Sequence, residues 1–144
     1  MVFSHNELDL KILAKESLEE VFNEEIKKAR LCKKSLSLVI LDLSESNQEE
    51  DLKKIIELLT RRARSADIIG KSKLKELTMV FPNMDKKEVV LFVHRLKQDL
   101  NYFKESLNIK VSFGFSSFPE DGRSKRELIE KATYLLYKDK ILET

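Results

Sequence analysis

The sequence predicts an α+β fold, a mainly antiparallel sheet of the ferredoxin-like βαββαβ kind with helices packed on one side. Two observations carry this. Four segments repeat apolar residues every three or four positions, the mark of amphipathic helices. Between them lie an almost continuous apolar run at 35–43, a hairpin across 64–83 and an alternating stretch at 109–115, giving the order helix, strand, helix, hairpin, helix, strand, helix. No repeat or low-complexity segment interrupts that order.

The first helix is predicted over residues 8–31, where Leu10, Leu13, Leu18, Val21, Phe22, Ile26 and Ala29 share a face. SLSLVILDL at 35–43 then reads as a central strand covered on both faces, with Asp42 at its C-terminal end. A shorter helix carries Leu52, Ile55, Ile56, Leu59 and Ala63, with Ser46 or Asn47 as its cap and glutamates in its first turn. Arg61 and Arg62 suit its C-terminal dipole. The hairpin is RSADIIGKSKLKELTMVFPN: an apolar pair, a lysine-rich middle, then alternating Leu77, Met79 and Phe81 stopped by Pro82. Asp85 and Glu88 form a capping box opening a helix to about Phe103, with Val89, Phe92, Val93, Leu96 and Leu100 on its core face and His94 outside it. Residues 109–115 alternate as a strand, and SSFPEDG at 116–122 is read as loop. A second capping box, Ser124 with Glu127, opens the last helix, whose core face is Leu128, Ile129, Ala132, Leu135 and Leu136.

At 144 residues the chain can bury roughly two thirds of its unfolded surface, so residues 1–144 are read as one domain. Charged residues make up 36% and hydrophobic ones 42%, a globular composition rather than a disordered one. A net charge of +2 gives no bulk electrostatic reason to expect a nucleic acid or a membrane as partner. Phe113 and Phe115 could offer stacking surfaces to RNA, but they alternate with small residues in a pattern that suits burial. No apolar run of about 18 residues is present, and the opening MVFSHN lacks the features of a signal peptide, so a cytoplasmic protein is expected. Cys32, beside Lys33 and Lys34, is read as an incidental thiol.

The hairpin text resembles the signature of the GGDEF domain, the bacterial diguanylate cyclase module. Arg64 and Asp67 match its Arg-x-x-Asp, Glu76 and Leu77 stand where its Glu and Phe belong, and Phe81-Pro82 closes the match. Lys73, Leu74 and Lys75 replace its two glycines and first acid. The text at 116–122 and the final LIEKATYLLYKDK are also similar to the family, whereas the turn motif expected before the first helix is lost. The family's guanine-reading segment after the first strand is missing, since Arg64 arrives about ten residues too soon. The resemblance implies the palm-type core shared with polymerase palms and nucleotidyl cyclases.

It also implies what the chemistry would need. In the family Asp42 is a magnesium ligand and a second acid follows two residues on, where this chain has Ser44. Lys75 stands in place of another carboxylate, and the family's phosphate-holding pair survives only as Lys140, its Arg partner position being Thr144. Glycines let phosphates approach backbone amides, and Lys73 and Leu74 fill that space. The expectation is therefore a catalytically inactive signalling domain with no catalytic residue, metal or cofactor. Asp42, Lys73, Leu74, Lys75, Glu76 and Lys140 would be vestigial active-site positions. Asp42 taken alone is read first as capping its own loop. The expected partner is a protein or an adjoining signalling domain. The alternative is a receptor for cyclic di-GMP through Arg64 and Asp67, the family's inhibitory-site pair, against which stands a plain turn capped by Asp67 and braced by Arg64. Residual chemistry on GTP is a third reading.

Overall fold

The computed structural model describes residues 12–45, 49–102 and 110–142. Its elements run β1 (Ile12–Leu13), α1 (Lys15–Cys32), β2 (Leu36–Asp42), α2 (Glu49–Arg62), β3 (Ile68–Lys73), β4 (Glu76–Pro82), α3 (Lys86–Tyr102), β5 (Ser112–Phe118) and α4 (Lys125–Leu142). The five strands form one sheet in the order β1-β3-β4-β2-β5. Only β1 against β3 is parallel; β3–β4, β4–β2 and β2–β5 are antiparallel.

The sheet has a core on each face, which corrects the expectation of helices on one side. Val39, Leu41, Leu77, Met79 and Phe81 pack under Ile55 and Leu59 of α2 and Val89, Val93 and Leu96 of α3. Leu36, Leu38, Ile40, Val80 and Phe118 pack under Leu18, Phe22 and Ile26 of α1 and Leu128, Ala132 and Leu136 of α4. The cause is visible in β2: six of its residues are buried in succession, so alternate side chains need cover on both sides.

The first helix begins at Lys15 and not near residue 8, because Ile12 and Leu13 are a strand paired with Ile69 and Gly70. Ile12 joins the α2/α3 core and Leu13 the α1/α4 core, an alternation of period two that sheet pairing satisfies and a helix does not. Leu10, and the Ser46 and Asn47 proposed as caps, lie outside the described residues. The helix α1 ends where Lys33 turns into the left-handed region at φ 54° and donates its amide to Ala29.

Strand β5 continues through Ser116, Ser117 and Phe118, which the sequence assigned to a loop; residue 109 is outside the described set. These serines tolerate burial because their hydroxyls are used. Ser116 donates to the Leu128 carbonyl at 2.7 Å, and Ser117 shares a 2.8 Å hydrogen bond with Ser37. Phe113 is buried and Phe115 packs against the α2/α3 core, so neither ring is a free stacking platform. The first capping box forms in full, the Glu88 amide donating to Asp85 at 2.9 Å and the Asp85 amide to Glu88 at 3.1 Å. In the second the Glu127 amide donates to Ser124 at 3.2 Å, but the Glu127 carboxylate takes the Arg123 amide at 3.3 Å in place of that of Ser124. His94 is exposed. Among the described residues no helix is long and apolar enough to cross a membrane.

Candidate functional site

The register of β2 against β4 places Asp42 opposite Glu76. Both follow the parity of Ile40 and Val80, so they belong to the α1/α4 face of the sheet. Two carboxylates opposed across a strand pair repel unless each is compensated. Here each is. Lys140, four residues beyond Leu136 and so one turn further along the α4 stripe, lies 2.6 Å from Asp42 Oδ2. Asp42 Oδ1 accepts the backbone N–H of Ser44 at 2.8 Å and also the Ser44 hydroxyl. Glu76 Oε1 accepts the Ser72 hydroxyl at 2.6 Å, Ser72 accepts in turn from Thr78 at 2.8 Å, and Lys73 faces Glu76 Oε2 at 3.9 Å.

The Asp42 carboxyl is shifted below its ordinary range: burial pushes it up, but the hydrogen bonds from Lys140 and Ser44 outweigh burial. Lys140 is shifted up, chiefly by its hydrogen bond to Asp42, against a smaller opposing effect of burial. Two sites read separately from the sequence, Asp42 and Lys140, are thus one ion pair. Neither motif predicts that pairing; it follows from α4 crossing β2.

The hairpin tip is the two residues Leu74 and Lys75, with Leu74 86% exposed. The Lys75 carbonyl accepts the Leu43 amide at 2.8 Å, so the tip is tied to the end of β2 while its side chains stay outside. This arrangement does not fit a magnesium ion. Such an ion needs carboxylate oxygens in near-octahedral array, and both carboxylates present are already engaged by internal donors. Among the described residues no three His, Cys, Asp or Glu side chains converge where a metal could be held.

Arg64 and Asp67 lie at the other end of β4, and their arrangement is the braced turn. The Asp67 side chain is 1% exposed, accepts the Arg64 amide at 2.7 Å and takes the guanidinium through Nε and Nη2 at 2.9–3.2 Å. Nη2 also donates to the Pro82 carbonyl at 2.7 Å, fixing the turn to the end of β4. The Arg64 guanidinium is shifted up by its hydrogen bond to Asp67, burial opposing. Beside this turn is a cavity of about 230 Å³ whose basic lining is Arg62, Arg64 and Arg95, with Phe92 and Leu91 as its apolar wall. Arg62 is committed to Asp99 through bonds of 2.8 and 2.9 Å. Sequence reasoning missed Arg95. Its spacing from Leu91 and Phe92, four and three residues, was the available signal.

The sequence model described as "Diguanylate cyclase, GGDEF domain" matches residues 11–142. Among solved structures, the chain is similar to the active GGEEF domain of a diguanylate cyclase from Vibrio cholerae, with TM-score 0.80 and 16% identity over 91% of this chain and 92% of that one. The GGDEF domain of DgcB from Caulobacter crescentus in complex with c-di-GMP matches with TM-score 0.77 and 16% identity, covering 92% and 85%. A DGC protein from Thermotoga maritima matches with TM-score 0.73 and 21% identity, covering 89% and 95%. These likenesses show the fold. No curated protein matches the chain.

Proposed function

The chain belongs to the GGDEF domain family, and from that premise we propose that it is a member without cyclase chemistry, acting as a regulatory or protein-interaction module in cyclic di-GMP signalling. One observation carries this: the Asp42 carboxylate is occupied by Lys140 at 2.6 Å and by Ser44. Joining two GTP molecules requires a divalent cation on the phosphates and a backbone that lets them approach. A cation on Asp42 must displace the Lys140 ammonium, and a Lys side chain about 4 Å from that cation repels it by several kcal/mol at an effective dielectric near 20. The lysines at the tip and the missing guanine-reading segment support the same reading. Incubation of the purified chain with GTP and magnesium, followed by chromatography, is expected to return GTP unchanged. Appearance of a linear or cyclic guanosine dinucleotide would overturn the proposal.

A second reading, reception of cyclic di-GMP, is favoured by the cavity beside Arg64. Arg95 lines it and makes no hydrogen bond or ion pair with the described residues, and the bonds of Arg64 to Asp67 and Pro82 use Nε and Nη2, leaving Nη1 out of them. A planar guanidinium can take a guanine edge in bidentate fashion. Calorimetric titration with cyclic di-GMP is expected to show saturable heat on this reading. No heat at high micromolar ligand rules it out and leaves the non-catalytic reading standing.

A further inference from the structure

We infer that the groove between α2 and the tip of the β3–β4 hairpin docks an acidic, leucine-bearing segment of a partner protein. This rests on the reading of the domain as an interaction module and names the chemistry of its partner. The groove holds about 220 Å³. Its apolar floor and wall suit the anchor side chains of a peptide helix. Leu43 and Leu77 form its floor, and Leu52 and Ile56 of α2 its apolar wall. It opens on the α2 face of the sheet, away from Asp42, and Glu76, already held by Ser72 and Lys73, stands at its edge.

The rim is cationic. Lys53, Lys71 and Lys75 line it, all three are exposed, and none is paired with a carboxylate of the described residues. Other lysines do hold carboxylates, Lys86 with Asp121 at 3.0 Å, Lys97 with Asp139 at 2.7 Å and Lys140 with Asp42, so what marks this site is three without such a partner among the described residues gathered on one groove. In a chain of net charge +2, three unpaired lysines around an apolar floor are a local excess that a carboxylate-rich partner would complement. Leu74 projects beside them as an exposed apolar contact. An amphipathic helix laying leucines into the groove and carboxylates onto its rim satisfies both features.

Charge decides among the occupants. A second copy would set the same lysines against one another. A single-stranded nucleic acid has charge to match the rim, but the groove offers no aromatic ring for its bases to stack on. An anionic bilayer meets the lysines too, yet it asks for a broad apolar face instead of a concave floor.

The test is methyl NMR of the full chain titrated with a synthetic glutamate-rich peptide carrying leucines at i, i+3, i+4 and i+7. Shifts are expected at Leu43, Leu52, Ile56, Leu74 and Leu77. Binding should weaken about tenfold in the Lys53→Glu, Lys71→Glu, Lys75→Glu triple variant, and as salt is raised. It should vanish when serines replace the peptide's leucines. An unchanged backbone amide spectrum shows that the triple variant is folded; should it not fold, the single Lys71→Glu and Lys75→Glu variants carry the same comparison. No groove shift at millimolar peptide, shifts centred elsewhere, or undiminished binding by the folded variants overturns the inference. Phosphatidylserine vesicles that displace the peptide and hold the chain through Leu74 overturn it in favour of a membrane surface. GTP turnover reads independently: dinucleotide formation removes the non-catalytic reading, whereas absent peptide binding without turnover removes this inference alone.

Discussion

At Asp42 burial and hydrogen bonding act in opposite directions, and the donors prevail. A carboxyl whose pKa is lower folded than unfolded adds stability above its unfolded value, about 3.9, and loses it as pH falls through the folded value. Lys140 behaves oppositely: its pKa is raised on folding, so its contribution is whole below about 10.4 and is lost as pH climbs through the folded value. The pair therefore stabilises fully between about pH 4 and pH 10. Lys140→Met is expected to cost about 1 kcal/mol at neutral pH in urea unfolding, the ammonium being partly exposed to water, and to flatten both limbs of the stability profile. Carboxyl NMR should find Asp42 titrating nearer its ordinary range in that variant; unaltered titration would contradict the pairing. Arg64 and Arg95 divide similarly by what they touch. Arg64→Ala strips a nearly inaccessible Asp67 carboxylate of its guanidinium and is expected to destabilise by about 2 kcal/mol. Arg95→Ala should change stability by less than about 0.5 kcal/mol, yet weaken cyclic di-GMP about tenfold if the cavity is its receptor. Calorimetry on the two variants checks both statements.

Among the elements, the contact of α4 with β5 leaves the least room. A Cβ on Gly114 would stand 1.9 Å from the Ala132 carbonyl oxygen, a backbone obstacle that moves only with the helix. A Cβ on Gly70 would meet Leu18 side-chain atoms at 2.8–3.0 Å, which can turn aside in part. Gly114→Ala is therefore expected to cost about 3 kcal/mol and Gly70→Ala about half that, measured by thermal unfolding of the two variants. Helices with one clear apolar stripe, α2 and α3, were legible in the sequence, as was the hairpin from its alternation. The start of α1 was not. Leu10 and Leu13 are spaced as a helix would space them, and only the unpaired edge of β3 makes Ile12 and Leu13 a strand. The end of β5 was hidden for a different reason: serines read as loop until their hydroxyls find Leu128 and Ser37.

For the molecule as a whole, an apolar β2 demanded cover on both faces, and that demand was readable from SLSLVILDL. Which helix covers which face was not, because amphipathic stripes carry no address. The same limit applies to the site. The presence of Lys73, Leu74 and Lys75 at the hairpin turn is explicit in the sequence, whereas the closure of Asp42 depends on α4 bringing Lys140 across the sheet. This closure keeps divalent cations off the β2 terminus, which a manganese titration followed by NMR tests most directly. Paramagnetic broadening should be no greater at Asp42 and Glu76 than at other exposed carboxylates. Saturable broadening centred on those two residues at micromolar manganese would contradict it.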